Sequence, residues 1–128
     1  MEEKGKRAKI LFVDDDKNIR LLYEKVFSEE GYEVLLAESG EKALEVLKEN
    51  EDIDLVVLDI KMKGQSGLET LQHIVKEKRK LPVILCSAYS SFQDDFTSWL
   101  ADAYVVKSPD LSELKFEIKK ALEKRKSG

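Results

Sequence analysis

The sequence predicts a doubly wound α/β domain, a five-stranded parallel sheet with helices on both faces. Two observations predict it. Short apolar runs that do not alternate with polar residues, above all Leu55-Val-Val-Leu58, suit strands buried on both faces. These runs then alternate strictly with segments of helical periodicity, which implies parallel strands joined by helical crossovers. A third observation points to the site. Leu55-Val-Val-Leu58 runs straight into Asp59, and a carboxylate is too costly to bury outright, so Asp59 belongs where the strand meets the surface. Ligands of open parallel sheets bind at the carboxyl ends of the strands.

Taken in order, Met1 to Arg7 reads as a polar, mobile lead-in. Ala8 to Val13 is the first strand, stopped by Asp14-Asp15-Asp16. Asp16 is placed to cap a helix over Lys17 to Glu30, with Ile19, Leu22, Tyr23, Val26 and Phe27 at helical spacing and Gly31 at its end. Leu21 lies off that stripe, so this helix carries more apolar residues than one face can hide. Glu33 to Ala37 is the second strand. Ser39-Gly40 opens a helix with Ala43, Leu44 and Leu47 on one face. Ile53 to Leu58 is the third strand, and Gly64 and Gly67 punctuate the loop behind Asp59. A third helix carries Leu68, Leu71, Ile74 and Val75. Pro82 to Cys86 is the fourth strand. Ser90 or Ser91 starts a fourth helix in which Phe92, Phe96, Trp99 and Leu100 form a core-facing stripe, with Trp99 or Phe96 as the residues to watch for a partner. Ala103 to Val106 is the fifth strand. Pro109-Asp110 starts the last helix, with Leu111, Leu114, Ile118, Ala121 and Leu122.

At 128 residues the chain reads as one domain without a linker, and 42% apolar with 38% charged residues suits a folded core. A net charge of −4 gives no electrostatic case for nucleic acid or an anionic membrane. No apolar run is long enough to span a bilayer, and the single cysteine, Cys86, has no partner for an internal disulfide; both favour the cytoplasm. Cys86 reads as a small buried residue and His73 as a solvated one.

The strand ends carry the chemistry: Asp14 and Asp15 after the first, Asp59 after the third, Ser87 after the fourth, Lys107 after the fifth. Alone, Asp14 to Asp16 could be a turn and a cap, and Lys107 a surface lysine. Together they converge on one edge. Carboxylates about 4 Å apart repel by roughly 4 kcal/mol per pair at an effective dielectric near 20. Oxygen donors of this kind call for a hard cation, Mg²⁺ or Mn²⁺. A carboxylate beside such a cation and a lysine can attack phosphorus to form an acyl phosphate.

Val13-Asp14-Asp15, Leu58-Asp59 with Met62 and Gly64 to Gly67 behind it, Ser87-Ala88, and Tyr104-Val-Val-Lys107 together resemble the receiver domains of two-component response regulators, of the single-domain chemotaxis and sporulation-phosphorelay type. The resemblance spans about Lys9 to Leu122, within a domain core of about 8–124. It implies a flavodoxin-like fold with strand order 2-1-3-4-5 and five flanking helices. It implies that Asp59 accepts a phosphoryl group, and that Asp15 binds Mg²⁺ directly and Asp14 mostly through water. The backbone carbonyl of Lys61 would complete the protein's ligands. Ser87 would move onto the phosphoryl group, Tyr104 would rotate inward, and Lys107 would pair with the phosphate. It implies no enzyme beyond self-phosphorylation and autodephosphorylation. The donor would be a sensor histidine kinase or phosphotransfer protein docking on the first helix, and a downstream protein the target. The chain would be a monomer that can dimerise once phosphorylated.

Two positions depart from the family pattern. Lys63 and Ser108 stand where prolines are common, and the cis peptide that often follows the lysine is costly without proline. Lys61 and Tyr89, two residues beyond Asp59 and Ser87, are bulky enough to obstruct an attacking water. Two rival readings use the same residues: an interaction module whose acidic pocket no longer turns over, and a Mg²⁺ phosphatase. Lys61, standing where a second Asp would serve as acid and base, counts against the latter.

Overall fold

The computed structural model describes residues 7–77 and 80–127, so most of the polar lead-in lies outside the described residues. Five strands, β1 (Lys9–Val13), β2 (Glu33–Ala37), β3 (Leu55–Leu58), β4 (Val83–Ser87) and β5 (Ala103–Val106), form one parallel sheet in the order β2-β1-β3-β4-β5. Four α-helices cover it: α1 (Lys17–Glu29), α2 (Gly40–Glu49), α3 (Gly67–Glu77) and α4 (Ser112–Ser127).

The alternation along each strand sorts the core into two layers. Leu11, Val13, Val56, Leu58 and Leu85 pack with Ala43 and Leu47 of α2 and Leu71 and Ile74 of α3. Ile10, Phe12, Leu55, Val57, Ile84 and Cys86 pack with Tyr23 and Phe27 of α1 and Leu114 and Ile118 of α4. Both faces are apolar because both are covered, which is why the strands lack a polar alternation. Phe12 anchors the second layer, with ring centroids 5.0 Å from both Tyr23 and Phe27.

The helix ends are set as the sequence indicates. Asp16 accepts from the backbone N–H groups of Asn18 (2.8 Å) and Ile19 (3.4 Å), and Ser39 from that of Lys42 (3.0 Å). Gly31 follows α1 at φ 101°, a left-handed conformation that favours glycine. The surplus apolar residues of α1 are Leu21 and Leu22, both exposed.

One expected element differs. The fourth helix is replaced by two 3-10 turns, Ser90–Asp94 and Phe96–Leu100. Asp95 breaks the run: its backbone is extended, and its side chain caps the second turn through the N–H of Thr97 at 2.8 Å. Ser98, not an aromatic residue, is buried there, and its hydroxyl donates to the Phe92 carbonyl at 2.7 Å. Phe92 is half-buried, but Phe96, Trp99 and Leu100 face solvent. Phe96 and Trp99 meet edge to face, centroids 5.0 Å apart. The core-facing stripe is therefore corrected to an exposed aromatic pair. No cis peptide occurs among the described residues, so Lys107–Ser108 is trans.

Candidate functional site

The site is built where the sheet's strands end. Val13 pairs with Leu58, and the Asp59 N–H donates to the Val13 carbonyl at 3.0 Å, which sets Asp59 beside Asp14. Ser87 pairs with Val106, and the Lys107 N–H donates to the Ser87 carbonyl at 2.7 Å. The parallel register thus brings residues 14, 59, 87 and 107 to one edge.

Asp14 and Asp59 are 1% and 6% exposed, while Asp15 faces solvent. Oxygens of all three carboxylates lie within 4.8 Å of one another. Lys107 Nζ sits 2.7 Å from Asp14 Oδ2 and 3.4 Å from Asp59 Oδ2. Backbone donors hold three more of the oxygens. Asp16 N–H donates to Asp14 Oδ1 (2.9 Å), Ile60 N–H to Asp59 Oδ1 (2.9 Å) and Lys63 N–H to Asp15 Oδ2 (3.2 Å). The last bond needs an amide hydrogen, so the departure from proline at position 63 gives Asp15 a donor that proline lacks.

Burial, with the charge of Asp14, pushes the Asp59 carboxyl up to about 6, against the opposing pull of Lys107. Burial alone would lower the Lys107 ammonium, but its hydrogen bond to Asp14 and the charges of Asp59 and Asp14 outweigh that and raise it. Three carboxylates against one bonded lysine leave an all-oxygen, net negative cluster. That donor set fits a hard divalent cation.

Ser87 is fully buried, and its Oγ accepts the Tyr89 N–H at 3.1 Å. The Tyr104 hydroxyl donates to the Tyr89 carbonyl, and Lys61 Nζ lies 5.5 Å from the centre of the Tyr89 ring. Tyr89 therefore links the three residues expected around the pocket. Cys86 is buried, its thiol pushed up to about 11 chiefly by burial, with Sγ 3.5 Å from the Tyr23 hydroxyl. His73 is exposed. Sequence reasoning missed Arg20, whose Nη1 donates to the Asp14 carbonyl at 2.7 Å. Its partner is a backbone carbonyl, and Lys17 puts a second cation in the same turn, so no sequence signal singles Arg20 out.

Gly67 opens α3 directly beneath the site. Its N–H donates to the Ile60 carbonyl at 2.8 Å, and a Cβ there would lie 1.9 Å from the Asp59 carbonyl and 2.7 Å from Ile60 Cα. Both contacts are backbone, so the loop behind Asp59 must shift. Gly67→Ala is expected to cost about 1–3 kcal/mol, read as a lower urea midpoint, with weaker divalent-cation binding.

A parallel sheet in this order, with an acid cluster and a lysine at its carboxyl edge, defines a phosphoryl-accepting signalling domain. The chain matches the response regulator receiver domain family over residues 10–119 and belongs to it. Among solved structures it is similar to the response regulator TrrA of Thermotoga maritima in complex with Mg²⁺–BeF, at 49% identity and TM-score 0.87, covering 90% of this chain and 99% of that one. TrrA in complex with the histidine kinase ThkA superimposes at TM-score 0.85, over 90% and 98%. Sporulation initiation phosphotransferase F of Bacillus subtilis is 34% identical over 116 residues, 89% of this chain and 93% of that protein. The transcriptional regulatory protein YrkP of Bacillus subtilis is 44% identical over 101 residues, and the match covers 77% of this chain but only 42% of YrkP. Among the described residues, no helix is long and apolar enough to cross a membrane.

Proposed function

We propose that this chain takes one phosphoryl group onto the Asp59 carboxylate, from a sensor histidine kinase or phosphotransfer protein, in a reaction that requires Mg²⁺. The observation that carries the proposal is the convergence of Asp14, Asp15 and Asp59 on one edge, with Lys107 bonded to two of them. Similarity to a regulator solved with Mg²⁺–BeF, and again with a histidine kinase, supports both the cation and the class of donor.

Asp14, Asp15, Asp59 and the Lys61 backbone carbonyl would hold the cation. Bound Mg²⁺ supplies neutralising charge to the transferring group, and Mn²⁺ shares its preference for oxygen. An Asp59 carboxylate oxygen forms the new bond to phosphorus as the donor's P–N bond breaks, and the donor nitrogen keeps the bonding pair. Lys107, already between Asp14 and Asp59, is placed to pair with phosphoryl oxygens. The Ser87 hydroxyl donates to one of them, drawing Tyr104 inward behind it. Turning the carboxylate into an acyl phosphate adds about one negative charge, which then biases the face formed by the segment after β4, β5 and α4 between two arrangements. The chain acts in the cytoplasm as a receiver domain, passing its signal to a downstream protein. It is a monomer that can dimerise when phosphorylated.

Intact mass after incubation with phosphoramidate or acetyl phosphate tests this. One added phosphoryl group with Mg²⁺, and none in chelator, is the expected result. Absence of both labelling and Mg²⁺ binding would leave the interaction module as the better reading.

The lifetime of the aspartyl phosphate follows from Lys61 and Tyr89. They stand two residues beyond Asp59 and Ser87 and meet in a cation–π contact, worth about 0.5–1 kcal/mol at an exposed site, which would hold two bulky side chains where a water must attack. Lys61→Ala or Tyr89→Ala is expected to speed hydrolysis by roughly two- to fivefold, measured as loss of the added mass after Mg²⁺-dependent labelling. Unchanged decay in both variants would remove this role.

A further inference from the structure

Arg20 lies in the first turn of α1 and turns back over the end of β1. No acidic residue occupies that turn, so the helix itself gives a cation no support there. What holds the side chain is the Asp14 carbonyl, 2.7 Å from Nη1. That carbonyl belongs to the peptide joining the two neighbouring acids, Asp14 and Asp15. The other polar groups of Asp14 are fixed as well. Its N–H donates to the Ala37 carbonyl at 3.1 Å, Oδ1 accepts the Asp16 N–H at 2.9 Å, and Oδ2 is 2.7 Å from Lys107 Nζ. Arg20 supplies the hold on the carbonyl side, just where the chain leaves the sheet and its ladder.

We infer that Arg20 is a positioning residue for the divalent cation: by clamping the Asp14–Asp15 peptide, it keeps both carboxylates turned toward Asp59. The inference rests on the cation site proposed above. Groups that orient metal ligands without touching the metal commonly set its affinity. A purely electrostatic role has the opposite sign, because removing a cation beside an acidic cluster tightens the binding of another cation.

Mn²⁺ binding to the full chain, read by the loss of the free-ion electron paramagnetic resonance signal, distinguishes the two. Arg20→Met keeps the apolar stem and removes the donor; it is expected to weaken Mn²⁺ binding about tenfold. Arg20→Lys keeps the charge and one donor and is expected to fall between wild type and Arg20→Met. The Mg²⁺ concentration giving half-maximal labelling by phosphoramidate should rise in the same order, with a much smaller change at saturating Mg²⁺. Equal or tighter Mn²⁺ binding by a folded Arg20→Met overturns the inference. If urea titration shows that Arg20→Met is unfolded, Arg20→Lys decides alone: weaker binding than wild type supports the inference and equal binding overturns it. Wild type that takes up no Mn²⁺ removes the cation site itself, a different failure from that of Arg20.

Discussion

Asp59→Asn is expected to remain at its unmodified mass under conditions that add one phosphoryl group to the wild type. The substitution is nearly isosteric, and its amide oxygen can still accept the Ile60 N–H that Asp59 Oδ1 accepts at 2.9 Å. What disappears is the anionic nucleophile, and the loss should therefore be complete within detection. Asp14 is the other buried carboxylate of the cluster, yet it is held by Lys107 at 2.7 Å and by the Asp16 N–H. Lys107 sits closer to Asp14 than to Asp59, at 2.7 Å against 3.4 Å, and Asp14 is the more buried residue, 1% exposed against 6%, so it is a poor substitute. Labelling of Asp59→Asn to the wild-type level, located at any residue, would contradict the assignment. Lys107→Ala gives a graded comparison: the nucleophile is intact, but the cation beside its oxygen is lost, so labelling should be slowed and not abolished.

The features legible in the sequence are those with strong local causes. Leu55-Val-Val-Leu58 has no polar face, so it had to lie inside a covered parallel sheet, and Asp59 had to lie at its end. The parallel register then did the rest, since residues following different strands meet only if the strands end together. The segment after β4 was misread because its apolar residues fall at spacings shared by an α-helix and by successive 3-10 turns. Periodicity does not register that Asp95 prefers to cap, or that Ser98 satisfies the Phe92 carbonyl from inside. Arg20 stayed hidden for a different reason. Its partner is a backbone carbonyl, present at every residue, so no pairing of residue types announces it. The Lys63 N–H to Asp15 contact is of the same kind; only the departure from proline pointed toward it.

In the metal-free protein, Asp59 is expected to withdraw stability as pH rises from about 4 to above 6. Its folded carboxyl is raised from 3.8 to about 6, first by burial and then by Asp14. The native state therefore holds this proton more tightly than the unfolded chain does. The resulting stabilisation is full below the unfolded pKa and is lost as pH rises through the folded one. At ~1.4 kcal/mol per unit, the rise is worth about 3 kcal/mol once both states are ionised. Other carboxylates titrate over the same range, so the contribution is isolated by difference. In chelator, Asp59→Asn should match wild type near pH 4 and exceed it by about 3 kcal/mol at pH 7, as read from urea unfolding. Lys107 retains its 2.7 Å partner Asp14 in the variant, so removing the Asp59 charge leaves no unpaired ammonium behind. Adding Mg²⁺ at pH 7 should narrow the gap, because a ligand that binds only the folded state stabilises it and the wild type has one more carboxylate to offer. A constant difference between the two proteins across this pH range would mean that Asp59 is ionised with little penalty. The acidic edge would then not be the strained, cation-seeking cluster that its burial and spacing describe.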